Sequence, residues 1–289
     1  MTERDELLEI ASSLKERLKT SDGMVGMKKG RAKKPYPAMD KTVKAPPSAV
    51  AEPRASFTLS AEPAAPGGDF VSDPSISPSE KLRLLREEIG DCLRCPLGKT
   101  RIKLAFGVGN PGAKVLFIGE GPGYQEDRQG EPFVGRAGQL LDKILEATGL
   151  SRKPVEPEWK WIYIANMAKC HPLIDPSDNT KHGNDRPPTP EEMAVCSPFL
   201  MKQIRIIRPL FIVALGATAG KGLLKTDRGI STFRGKWVDW SPEGEPGLHI
   251  RMMPTYHPAA LLRNPNLKKD VWEDMKALKA ELMKAVGAA

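Results

Sequence analysis

The sequence predicts a three-layer α/β/α fold with a central, mainly parallel four-stranded sheet, preceded by a disordered N-terminal extension. Three observations lead there. Short apolar runs such as "KVLFIG" and "LFIVALG" lack polar alternation, as expected of strands buried on both faces. Helically spaced stretches separate these runs, and strands joined by helices pair in parallel beneath them. The first 80 residues, by contrast, hold nine of the 27 prolines and few large apolar side chains.

In chain order, Leu7, Leu8, Ala11, Leu14 and Leu18 fall on one side of a helix over 5–18. The plain reading is a surface helix; the sharper one is docking to a protein partner. Residues 21–80 read as a tether too poor in apolar side chains to offset the entropy of ordering. Its basic stretch, 28–34, is a solvated charge run or a non-specific contact with nucleic acid. A compact domain is expected over 81–289. It opens with the helically spaced "SEKLRLLREEIGDC" and continues with "KVLFIGE" as a strand and "AGQLLDKILEATG" as a helix closed by Gly149. "WKWIYIANMAKC" is the next strand, and Thr189 with Pro190 starts the helix that follows. "LFIVALG" is a strand, "ATAGKGLLK" a helix, "IRMMPTYHP" the last strand, and "KKDVWEDMKALKAELMKAV" the last helix.

The net charge of +8 suggests a polyanionic partner, and its distribution places that partner on the domain. Residues 1–80 carry 12 basic and 12 acidic side chains, whereas 81–289 carry 32 basic against 24 acidic. No apolar run is long enough to span a membrane and the N-terminus has no signal-peptide core, so a cytoplasmic protein is expected; separately, a monomer is expected. Cys92 and Cys95 form a CxxC, with Cys170 and Cys196 distant. In a reducing compartment, shared ligation of a metal or cluster suits this pattern better than disulfides, with zinc and iron-sulfur both open.

Three unusual segments fall where strands end, and open α/β sheets bind ligands beyond those carboxyl ends. "GEGPGYQEDRQGEPFVGRAG" (119–138) follows the first strand, Asn166 closes the second, and "HPAALLRNP" follows the last. The glycine-rich turn is no dinucleotide loop: GxGxxG would need glycine at Tyr124, and its carboxylates would repel a pyrophosphate. Its glycines instead admit a flat ligand close to the backbone. Phe133 is either core or a stacking surface, and its setting among charges and glycines favours stacking.

Together "GEGPGYQED", "GEPFVGRAGQLL", "CLRCPLG" and "HPAALLRNPNLKK" resemble the family 4 uracil-DNA glycosylases, the iron-sulfur branch of that superfamily, over roughly 81–285. The resemblance implies base excision repair: hydrolysis of the N-glycosidic bond of uracil in single- or double-stranded DNA. It implies a structural 4Fe-4S cluster on Cys92, Cys95, Cys170 and Cys196. It implies Glu120 and His257 as catalytic residues, the first orienting water at the sugar and the second donating to uracil O2. Gly121, Glu126, Phe133 and Asn166 would bind the flipped base, with Glu126 or Tyr124 excluding the thymine methyl. Leu262 would wedge into the vacated stack while Arg263, Lys268 and Lys269 meet phosphates, although a leucine pair with Leu261 also reads as helix packing.

His171, His182 and His249 read as structural or surface residues. Two features depart from the family: the 25 residues between Cys170 and Cys196 look long, and His171 stands where many relatives carry arginine. A superfamily relative traps DNA through a histidine in a basic loop, and the corresponding 224–237 has none, so turnover is expected. Two rival readings are a non-catalytic iron-sulfur DNA-binding module and a glycosylase for another deaminated base, such as hypoxanthine or xanthine.

Overall fold

A computed structural model describes residues 69–245 and 247–287. The helix expected over 5–18, the basic stretch 28–34 and most of the tether lie outside the described residues. Residues before the expected boundary at 81 already pack on the domain. Phe70 and Val71 pack on the core, the Val71 carbonyl accepts from Lys81 Nζ at 2.7 Å, and helix α1 (Pro78–Ile89) starts at the Ser77 cap.

The strands are β1 (Val108–Gly109), β2 (Val115–Gly119), β3 (Tyr163–Asn166), β4 (Phe211–Leu215), β5 (Val238–Trp240) and β6 (Ile250–Thr255). They form one six-stranded sheet in the order β1-β3-β2-β4-β6-β5. The four long strands run parallel, as expected, while β1 and β5 add antiparallel edges and correct the four-stranded expectation. Two or three residues carry too little periodicity to announce a strand, and both edges exist by pairing with an established neighbour.

Side-chain alternation along the strands divides the interior in two. Leu116, Ile118, Ile212 and Ala214 join Leu85, Leu200 and Ile204 on one face. Val115, Phe117, Phe211 and Val213 join Leu141, Leu145 and Leu278 on the other. Helices cover both faces, which is why β2 and β4 are uniformly apolar. The remaining helices are α2 (Tyr124–Gln129), α3 (Arg136–Thr148), α4 (Pro190–Ile207), α5 (Gly216–Leu224), α6 (Ile230–Phe233), α7 (Pro258–Arg263) and α8 (Leu267–Gly287). Thr189 caps α4 in a capping box with Glu192, and Gly149 ends α3 in the left-handed conformation, as the sequence led one to expect.

Chain order matters for the site. The path runs from β2 outward to β3, then crosses back to β4 on the other side of β2. Such a reversal leaves a crevice at the carboxyl ends of the central strands. Among the described residues, no helix is long and apolar enough to cross a membrane.

Candidate active site and cysteine pocket

The crevice is assembled by close approach at Gly119. Gly119 closes β2 directly opposite Asn166 at the end of β3. A Cβ there would fall 2.4 Å from Asn166 Oδ1 and 2.5 Å from Phe133 Cζ, so only glycine lets the carboxamide and ring converge. The ladder continues past the strands, with Met167 N–H donating to the Gly119 carbonyl at 2.9 Å and Ala168 N–H to that of Glu120 at 3.1 Å. Asn166 is buried, and its Oδ1 has no hydrogen-bond partner. Since a buried polar atom without a partner is costly, this oxygen marks where a donor is missing.

Phe133 sits at φ 57°, a left-handed conformation that a bulky residue rarely adopts. Its backbone lies against Gly138 in the first turn of α3, where a Cβ would meet the Phe133 carbonyl oxygen at 1.8 Å. Strain is thus accepted to bring the ring to Asn166. Across the crevice the ring centroids of Phe133 and His257 are 5.3 Å apart, tilted by 31°.

His257 caps α7, and its Nδ1 accepts from the Ala259 N–H at 3.1 Å. In the neutral ring the proton therefore rests on Nε2. Burial, with the positive charge of Arg263 assisting, pulls its pKa down to about 4. A neutral imidazole with a fixed donor results. Glu120, at the exit of β2, accepts from the Thr218 hydroxyl through Oε2.

The other residues expected at the base have the following surroundings. Glu126 is committed to the backbone: Oε1 accepts from Val134 N–H at 2.9 Å and Gly135 N–H at 2.8 Å, and Oε2 from Gly123 N–H at 3.2 Å. It ties the start of α2 to the turn after Phe133. Tyr124 stacks on His182 at 3.7 Å, with the Arg128 guanidinium 3.5 Å from the same ring. Gly121 faces Ala168 and Pro172. On α7 the leucines separate: Leu261 is core, whereas Leu262 is 43% exposed beside exposed Arg263, with Lys268 and Lys269 exposed on α8.

His171 is buried between carboxylates, 2.6 Å from Asp185 through Nε2 and 3.8 Å from Asp127 through Nδ1. Burial opposes its charge, yet the two acids prevail and push its pKa up to about 9. A cation is thereby kept where the family resemblance places arginine. His182 is exposed on the long loop, and His249 is exposed before β6.

All four cysteines line one apolar pocket with Phe199 and Lys169. As they stand, no three His, Cys, Asp or Glu side chains among the described residues are arranged to hold a metal ion. Burial pushes the Cys170 thiol up to about 12 and raises Cys95 and Cys196 as well. Cations attend the sulfurs: Arg94 Nη1 lies 3.3 Å from Cys92 Sγ and Arg101 Nη1 3.7 Å from Cys170 Sγ. Four thiols in an apolar, cation-flanked pocket suit a group that binds them as thiolates and lowers the cost of charging them.

A model of the uracil DNA glycosylase superfamily matches residues 106–276, which include the crevice residues and two of the four cysteines. The chain belongs to that superfamily. A type-4 uracil-DNA glycosylase of Thermotoga maritima is 39% identical over 208 residues, 71% of this chain and 96% of that protein. A second, from Saccharolobus solfataricus, is 38% identical over 70% of this chain and 87% of its own length. A type-5 uracil-DNA glycosylase of Pyrobaculum aerophilum is more distant, 32% identical over 161 residues. The chain is thus a member of the type-4 group.

Sequence reasoning missed three contributors to this glycosylase-type site. Thr218 has no motif around it and is found only because α5 starts beside Glu120. Lys169 lies within "AKC", where a lysine beside a buried cysteine is the signal that points to it. Asp274, buried on α8, accepts from Thr255 Oγ1 at 2.6 Å and from Arg234 Nη1 at 2.7 Å, anchoring the strand that carries His257.

Proposed function

We propose that this protein hydrolyses the N-glycosidic bond of uracil in DNA, releasing free uracil and leaving an abasic site. The observation that carries the reading is the buried, unpartnered Asn166 Oδ1 beside the strained Phe133 ring, faced by a neutral His257. A flat ring entering this crevice stacks on Phe133 and offers its N3–H to Asn166 Oδ1. The carboxamide N–H then meets O4, a donor and acceptor order that cytosine inverts.

A base inside a duplex cannot reach this crevice, so it is flipped out at a cost of a few kcal/mol. The exposed Leu262 fills the gap left in the stack, while Arg263, Lys268 and Lys269 neutralise phosphates. As N1–C1′ breaks, the electron pair departs with uracil and positive charge grows on the sugar. His257 Nε2–H donates to O2 and stabilises the anion without full protonation, as suits a ring whose pKa is near 4. Glu120, steadied by Thr218, opposes the sugar charge and orients the water whose oxygen bonds C1′. As the water oxygen bonds C1′, its proton passes to the Glu120 carboxylate and on to solvent, and the released uracil anion takes up one proton from solvent.

The second part of the proposal is a 4Fe-4S cluster on Cys92, Cys95, Cys170 and Cys196. The pocket that all four cysteines share supports it, since four thiolates are the usual ligand set of such a cluster. When bound, it cross-links the segment after α1, the exit of β3 and helix α4.

The test uses an oligonucleotide containing one uracil, with thymine, cytosine, hypoxanthine and xanthine counterparts, treated with the iron-loaded protein and then with alkali. Uracil-dependent strand breaks, lost in His257→Ala and Asn166→Ala, are expected. Preferred cleavage at hypoxanthine or xanthine would transfer the site to another base. Binding of DNA without breaks at any base would leave a non-catalytic module.

A further inference from the structure

Lys169 is buried to 1% exposure, a rare position for an ammonium. It lies three residues beyond Asn166 and immediately before Cys170. Its Nζ donates to the Asn166 carbonyl at 2.9 Å and to Gln203 Oε1 at 2.6 Å. Gln203, fully buried on α4, is itself held by donating Nε2 to the Phe106 carbonyl at 3.0 Å. Both acceptors of the ammonium are neutral, and among the described residues no carboxylate forms an ion pair with it. A buried charge so placed costs several kcal/mol unless an opposite charge is near.

The same side chain lines the pocket shared by the four cysteines. Four thiolates sharing a metal-sulfur group would supply the anion that the protein otherwise lacks here. We propose that Lys169 is a positioning residue that joins the cysteine-held group to base recognition. Its charge is balanced by the thiolates, and its hydrogen bond to the Asn166 carbonyl fixes the peptide plane from which the base-reading carboxamide projects. The inference rests on the excision and cluster reading given above. Its consequence is that the group at the cysteines influences excision without touching the substrate.

Lys169→Met and Gln203→Leu, each prepared with its iron and sulfide content measured, separate charge from hydrogen bonding. For Lys169→Met the redox potential of the cluster should move to more negative values, because a positive charge beside it is lost. Its kcat on uracil-containing DNA should fall about tenfold or more, as small misplacements of a recognition group do. Gln203→Leu keeps the ammonium, so its potential should match wild type while kcat falls by a smaller factor. Full iron content with wild-type potential and wild-type kcat in Lys169→Met overturns the proposal. If Lys169→Met fails to hold iron, Gln203→Leu decides: lowered kcat with full iron supports the brace, and unchanged kcat overturns it. Wild-type protein that excises uracil while lacking iron and sulfide would instead overturn the cluster assignment, and with it the source of the counter-charge.

Discussion

The base crevice and the cysteine pocket lie on either side of the exit of β3, and they are incomplete in opposite ways. Where the base would lie, the crevice holds neutral groups: an unpartnered Asn166 Oδ1, a strained Phe133 and a histidine kept uncharged. The cysteine pocket holds cations, Lys169 within and Arg94 and Arg101 at the sulfurs, and burial raises the pKa of the Cys95, Cys170 and Cys196 thiols there. Groups missing a neutral partner fit a ligand that enters and leaves. A buried ammonium with only neutral acceptors, as at Lys169, fits one that stays. The difference teaches that what a site lacks identifies its ligand more closely than what it contains.

Removing a resident ligand should cost most. Cys170→Ala and Cys196→Ala should lose iron and sulfide, and with them excision and the cooperative thermal transition of the loaded protein. Retained iron with wild-type melting would dissolve the contrast between the two pockets. Next comes His257→Ala, expected to lower kcat by roughly 10²- to 10³-fold, the usual cost of deleting one donor to a developing anion. Iron content should not change.

Gly119→Ala sharpens the comparison from the crevice side. Its Cβ would stand 2.4 Å from Asn166 Oδ1, so carboxamide and Phe133 ring must part. Excision should fall by about 10²-fold, measured under single turnover, with the iron absorption unaltered. Glu126→Gln should cost about 1–2 kcal/mol in denaturant melts, since one carboxylate now satisfies three backbone N–H groups.

The smallest effect is on pH dependence. His257 has a folded pKa near 4, below the ordinary value of 6.5, so the unfolded chain binds the extra proton between these values. Its contribution to stability is complete above about 6.5 and declines as pH falls towards 4. Melting followed across that window should show a shallower acid slope in His257→Gln than in wild type. An identical slope would remove the case for a neutral imidazole.

Much of this was legible in the sequence because it depends on local pattern. Uniformly apolar β2 and β4 announced strands covered on both faces, and Thr189 and Gly149 announced helix ends. The edge strands were not legible, because β1 and β5 arise from pairing across the sheet. Among site residues, Asn166 and His257 could be placed because the first ends a strand and the second follows one closely. The backbone partners of Glu126 were not legible, because a carboxylate in a glycine-rich turn can serve backbone N–H groups as readily as a ligand, and only the fold shows those it meets. Thr218 and Asp274 act across long sequence separations and leave no local trace.

The most direct measurement is the single-turnover release of free uracil from an oligonucleotide with one uracil, by iron-loaded wild type, Asn166→Ala and His257→Ala. The account predicts rapid release by wild type, no release of thymine or cytosine, and a drop of about 10²-fold or more in both variants. Release at the wild-type rate by both variants, or none from iron-loaded wild type, would contradict it.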